Sequence, residues 1–395
     1  MNFFPIKFRI VFFIYLGSWF YSCKSKNAEE RVGECLPPPP IAELKTPTEL
    51  QIISPVNFGS GIRSTFIYSD TLGYILPSKP QDRIFVFDLK NGILHKEIIL
   101  DPNFITSPSG IEVISPDSIF VSDSEFPTIS LINGEGVVLE TYNLYRENLW
   151  KMPQEGFSNF GLYFGFGLTF KYLPERHSFL IPLKQLDQWY FVKEKKYFPA
   201  IAEYDLTTRE FKSQFGEYKG IYASENNTLL PFYLSHPIIE VADNRVILSY
   251  PLDSKLYIYS LDGEFLDEKC SLIPDFDLGE PLQYDMDNFD SEGLLAFSGR
   301  NSYFGNFFYV KEKNRFIRIF LKCNPNPEGT CLSKEVFALI FDENLNLTEI
   351  KSLPEKFGKN FYTYQIGFKD GFLSNVSAPE SDDEFSLNNY YSIGN

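Results

Sequence analysis

The decapeptide YDMDNFDSEG, residues 284–293, places Asp285, Asp287, Asp290 and Glu292 within one short stretch. Crowded carboxylates are hard oxygen donors, the kind Ca²⁺ collects. The spacing is not that of an EF-hand and no glycine occupies the turning position, so a calcium site competes here with a plain solvated turn. No other cofactor is implied. The three histidines, His95, His177 and His236, are far apart, and the chain has no HExxH helix, no GxSxG elbow and no phosphate-loop glycine pattern. GLYFGFG at 161–167 lacks the lysine and the strand-to-helix setting of a phosphate loop, and reads as close strand packing or an aromatic loop. His236 precedes Pro237 at the expected start of an inner strand, where a general base could face a central cavity. A hydrogen-bonded structural role is the commoner use of such a residue.

The elements that would position these groups announce themselves by repetition. KLYIYSLDGEFLDEKCSL (255–272) is a short apolar run, an Asp-Gly turn and a more polar return. Similar phrases start their turns at Asp88, Asn133, Asp205 and Asp342, and each reads as a β-hairpin. In KLYIYSL both alternating sets, Leu256/Ile258 and Tyr257/Tyr259/Leu261, are apolar, so this strand must be covered on both faces. Stacked antiparallel sheets with polar outer strands describe a β-propeller. Further apolar runs between the phrases, among them GIEVISPDSIFVSD and PIIEVADNRVILSY, supply inner strands, and helical periodicity is scarce. The fold class is therefore all-β. Unequal spacing of the phrases argues for insertions; six four-stranded blades fit best, with seven or a pair of β-sandwiches as alternatives. The sixth blade would use YQIGFKDGFLSN and EFSLNNYYSIGN, completed by an N-terminal strand near Leu50 to Ile53.

Composition agrees with one large core. The chain has 395 residues, 44% hydrophobic and 17% aromatic, and its net charge of −16 makes nucleic acid an improbable partner. Of five cysteines, Cys323 and Cys331 bracket NPNPEGT, whose ends could meet across a hairpin; a local disulfide there would contribute about 2–3 kcal/mol. The remaining two, Cys35 and Cys270, could pair with each other, a pairing the sequence leaves open. A zinc site lacks close CxxC pairs and clustered histidines.

Residues 1–22 read as a signal peptide: Lys7 and Arg9 precede an apolar run, IVFFIYLGSWFY, shorter than a membrane-spanning helix requires. FYSC then resembles a lipoprotein box of the relaxed kind found in Bacteroidota, with Phe20 in place of leucine. That resemblance implies cleavage before Cys23 and acylation of Cys23, hence a membrane anchor made of lipid. Residues 23–47, with four consecutive prolines from Pro37 to Pro40, would be a polyproline-like tether, and 48–395 a single propeller domain. Lys24 in place of the aspartate that retains lipoproteins at the inner membrane suggests the outer membrane; whether the domain faces the periplasm or the exterior is left open. Asp70-Thr71-Leu72 and Asp117-Ser118-Ile119 look like the Bacteroidota O-glycosylation sequon, which would modify Thr71 and Ser118, although both suit ordinary turns.

The lipoprotein start, the tether and the degenerate hairpins together resemble a Bacteroidota lipoprotein family of unknown function with TolB-like six-bladed propellers. The resemblance spans nearly the whole chain and carries over no functional residue. A propeller face or funnel offering Tyr, Phe and acidic loop residues, without histidine or metal signatures, reads as a binding or scaffold module for an envelope protein, peptide or glycan. A carboxylate-based carbohydrate lyase or hydrolase with its site in the funnel is the alternative.

Overall fold

KLYIYS and FLDEKC, joined at the Asp-Gly turn, are the third and fourth strands of a four-stranded antiparallel sheet, and the other repeated phrases occupy the same place in their own sheets. The computed structural model describes residues 37–44, 48–51, 62–144, 160–162, 170–185, 199–219, 222, 234, 237–273, 301–325, 331–357, 365–376 and 387–393. After β1 (Ile41–Glu43) and β2 (Thr48–Gln51), blade I is β3 (Ile62–Tyr68), β4 (Leu72–Pro77), β5 (Arg83–Asp88) and β6 (Ile93–Ile99). Blade II is β7 (Pro108–Ser115), β8 (Ser118–Asp123), β9 (Thr128–Ile132) and β10 (Val138–Asn143). In blade III, β11 (Phe160–Leu162) and β12 (Lys171–Leu173) share one neighbour, β13 (Ser178–Gln185), followed by β14 (Ile201–Asp205) and β15 (Glu210–Phe215). Blade IV is β16 (Ile238–Ala242), β17 (Arg245–Ser249), β18 (Lys255–Ser260) and β19 (Phe265–Cys270). Blade V is β20 (Tyr303–Val310), β21 (Arg315–Pro325), β22 (Cys331–Phe341) and β23 (Leu347–Phe357). Blade VI is β24 (Gln365–Phe368), β25 (Gly371–Val376) and β26 (Leu387–Ser392), completed on its outer side by β2. The molecule is an all-β propeller of six blades.

The cover that KLYIYS requires comes from its two neighbours. Leu256 and Ile258 pack with Phe304, Phe316 and Leu339 of blade V, whereas Tyr257 and Tyr259 join the cluster holding Tyr204 and Phe215 of blade III. In β5, Ile84 and Val86 face blade II, and Phe85 and Phe87 face blade VI. Five such clusters link successive blades around the ring, because a strand apolar on both faces finds two dry surfaces only between sheets. Outer strands carry the polar residues; in β6 the exposed positions alternate with partly covered ones.

The residues opening the outer turns have a specific task. Asp88 Oδ1 accepts from the N–H groups of Lys90 and Asn91, and Asp205 Oδ1 from those of Thr207 and Thr208. In blade II the turn closes with Gly136 N donating to Asn133 O and Asn133 N donating to Val137 O, both at 3.0 Å. Gly136 sits at φ +83°, and a Cβ there would lie 2.0 Å from the carbonyl oxygen of Ile99 in blade I. Gly136→Ala should therefore cost on the order of 2–4 kcal/mol, from left-handed strain and a backbone clash that no rotamer relieves, read as a lower urea midpoint at unchanged m.

The N-terminal strand joins the sixth blade as expected: Thr48 pairs Tyr390 and Gln51 pairs Leu387. The extended tether read over residues 23–47 gives way earlier. Ile41–Glu43 forms β1, parallel to β23, and Leu44 N donates to Ser352 O at 3.0 Å while its side chain is buried. Apolar Ile41 and Leu44 follow the prolines closely, and β23 offers them an otherwise unpaired edge.

Candidate functional site

A cavity of about 240 Å³ lies where the inner strands of all six blades converge. Each of these strands has a ladder partner on one side only, so backbone donors and acceptors on the other side are available to water or a ligand. Its charged side chains come from consecutive blades: Glu112 on β7, Lys171 on β12 and Glu240 on β16. Lys171 Nζ lies 3.3 Å from Glu240 Oε2 and 3.4 Å from Oε1. Glu112 forms no hydrogen bond or ion pair with the described residues. Blades V, VI and I contribute apolar Phe307, Ile366 and Phe66 to the lining, together with polar Ser64, Thr65 and Asn306. Arg63, on β3, also lines the cavity but is turned to blade II, its Nη1 donating to Pro108 O at 2.7 Å and Ser107 Oγ at 3.3 Å.

The protonation of this cluster follows from enclosure. Burial pushes the Glu112 carboxyl up to about 7; Lys171 opposes the rise and Glu240 adds to it. Burial alone would lower the Lys171 pKa, yet Glu240 and Glu112 outweigh it and hold the ammonium above its ordinary value. Because the folded Glu112 pKa exceeds the ordinary 4.5, the native state binds more protons than the unfolded one between 4.5 and about 7. Its contribution to stability is present below 4.5 and is lost as pH rises through 7. Since channel water reaches the group, the loss should amount to about 1–3 kcal/mol, and urea titrations at pH 5 and pH 8 should show it in the wild type and not in Glu112→Gln. Lys334, fully buried on β22 over the Tyr303 ring, is lowered by burial to about 7, and acts with the opposite sign in the window above 7.

The sequence pointed elsewhere for its site. Asp285, Asp287, Asp290, Glu292 and His236 lie outside the described residues, as do Cys23 and residues 163–167 of the glycine-rich stretch. Among the described residues no three His, Cys, Asp or Glu side chains come together as metal ligands. Thr71 is exposed in the β3–β4 turn, and Ser118 is half-buried at the start of β8, so both candidate sequons sit on inner-hairpin turns. Cys270 and Cys323 are disulfide-bonded, and the β21–β22 register sets Cys331 opposite Pro325, two residues beyond Cys323 on the same strand. The three charged channel residues were missed. Two of them carried a signal, since Ile111-Glu112-Val113 and Ile239-Glu240-Val241 repeat one phrase with a carboxylate inside an apolar strand.

No curated protein matches the sequence. In solved structures the chain resembles a member of the DUF4221 family from Bacteroides vulgatus, at 15% identity and TM-score 0.62, covering 89% of this chain and 98% of that one. It also resembles a Bacteroides fragilis protein whose name describes it, provisionally, as exported, at 13% identity and TM-score 0.54, covering 90% of this chain and 98% of that one. At these identities the likeness concerns the fold. A family model, the domain of unknown function DUF4221, matches residues 48–349, well over half the chain, and the protein belongs to that family.

Proposed function

We propose that the protein is an outer-membrane lipoprotein, anchored by lipid on Cys23, whose propeller binds an envelope protein, peptide or glycan by drawing one of its groups into the central channel. The observation that carries the binding role is that the channel lining combines charged Glu112, Lys171 and Glu240 of blades II to IV with apolar Phe307, Ile366 and Phe66 of blades V, VI and I. Such a lining orients a ligand with unlike ends. A volume of about 240 Å³ suits a compact group or the tip of a longer chain. Export is supported by the disulfides of Cys270 and Cys323, which persist in oxidising compartments, and by the name of the Bacteroides fragilis neighbour. Pairing of Cys323 with Cys331 belongs to this reading and would appear as one crosslinked peptide in a non-reducing digest.

Crosslinking pull-down from the native envelope tests the reading, comparing the wild type with Thr65→Trp, which fills the channel from β3. A partner captured by the wild type and lost from a variant of unchanged thermal stability supports it; equal capture by both sinks it. Palmitate labelling that disappears in Cys23→Ala tests the anchor.

One observation favours an enzyme as a second reading. Glu112 and Glu240 share the cavity, and a carboxyl raised to about 7 beside an ion-paired carboxylate resembles an acid and base set for glycosidic chemistry. Release of reducing ends from envelope polysaccharide, abolished in Glu112→Gln, would establish it.

A further inference from the structure

We propose that the group the channel accepts is a primary ammonium on an apolar stem, seated on the Glu112 carboxylate. The inference rests on the channel being the binding site and names what enters it. The cavity lining carries two carboxylates, Glu112 and Glu240, and two cations, Arg63 and Lys171, of which Lys171 is bonded to Glu240. Arg63 aims its Nη1 at Pro108 O and Ser107 Oγ at the blade I–II junction, and no ion pair joins it to Glu112. Glu112 is therefore the channel carboxylate whose side chain has no hydrogen-bond or ion-pair partner among the described residues. An anion placed there would meet two carboxylates. A hard divalent cation would need several more oxygens than one glutamate offers, and the described residues bring no third ligand to it. An ammonium needs one carboxylate and tolerates apolar surroundings for its stem, which Phe66, Phe307 and Ile366 supply in the lining.

Proton exchange follows from the same geometry. The groups facing Glu112 are Lys171 from β12 and Glu240 from β16, with Arg63 of β3 elsewhere in the lining. A carboxyl that titrates near 7 must give up its proton to hold the ammonium, so binding releases a proton to solvent and strengthens with pH. Between pH 6 and pH 8 the ionised fraction of such a group rises about tenfold, and affinity should follow.

Calorimetry on the intact protein with benzylamine, benzyl alcohol and benzoate provides the test, at pH 6 and pH 8 and in two buffers of different ionisation heat. Benzylamine should bind about tenfold more tightly at pH 8 with net proton release at pH 6, while the alcohol and the acid bind far more weakly. Glu112→Gln, if its thermal stability is retained, should lose that pH dependence; the wild-type pH dependence stands as evidence even if the variant does not fold. Phenylalaninamide and glucosamine, compared at pH 6 where both amines are protonated, carry an ammonium on an apolar and on a hydroxylated stem and separate a peptide source from a sugar source. Tighter binding of benzoate or benzyl alcohol would overturn the ammonium while leaving the channel as the site. Failure of benzylamine to bind, with partner capture still lost in Thr65→Trp, would do the same.

Discussion

Arg318→Ala should lower the stability of the protein by about 4 kcal/mol or more, a large share of what a folded domain has. Arg318, on β21, is fully buried, and its guanidinium ties blade V to the loops of blade IV. Nη2 donates to Tyr250 O and to Asp253 O, each at 2.7 Å, and Nη1 donates to Ser271 Oγ. The guanidinium carbon lies 3.5 Å from the centre of the Phe304 ring. Burial lowers the Arg318 pKa to about 9, so the group remains charged at neutral pH and its desolvation is offset by these contacts. Removing the side chain leaves a cavity and strips its donors from two carbonyl oxygens in a dry junction. Arg318→Lys should recover only part of the loss, since one ammonium cannot span acceptors that a planar fork reaches together. Urea denaturation decides it: a change under about 1 kcal/mol for Arg318→Ala would show the junction to be held by packing alone.

Deleting the chain through Gln51 should open the ring. Without β2, β26 loses the register from Thr48↔Tyr390 to Gln51↔Leu387 and keeps only β25 as a neighbour. The lost ladder is worth a few kcal/mol, and β26 becomes an unprotected edge able to pair with another molecule. Thermal unfolding should fall by roughly 5 °C or more, with oligomers appearing in size-exclusion chromatography. Deletion through Pro40, which spares β1 and β2, is the control and should change neither. Equal behaviour of the two truncations would mean that closure of blade VI by the N-terminal strand does not hold the ring.

The hairpin phrases were legible because their physics is local. An Asp or Asn that caps the following N–H groups, a turn, and alternation along six residues can all be read without knowing what lies across the sheet. KLYIYS, apolar at successive positions, even required two covered faces. The channel residues were less accessible: Glu112 and Glu240 are separated by 128 positions in the chain, and their relation to Lys171 exists only because β7, β12 and β16 stand on consecutive blades. The reading of residues 23–47 as a tether erred at its end, since three residues of β1 have no strong pattern until β23 is there to pair with them.

Sequence alone determined that this chain folds as sheets stacked on both faces, that its outer strands are polar, and that an N-terminal strand near Leu50 returns to the last blade. Those features follow from side-chain alternation and turn chemistry, which act between near neighbours. The tertiary structure alone decided which charges meet at the axis and which carboxylate has no ion-pair partner among the described residues. The radial arrangement brings one inner strand from each blade to a common centre, where burial turns three ordinary surface-type residues into a site.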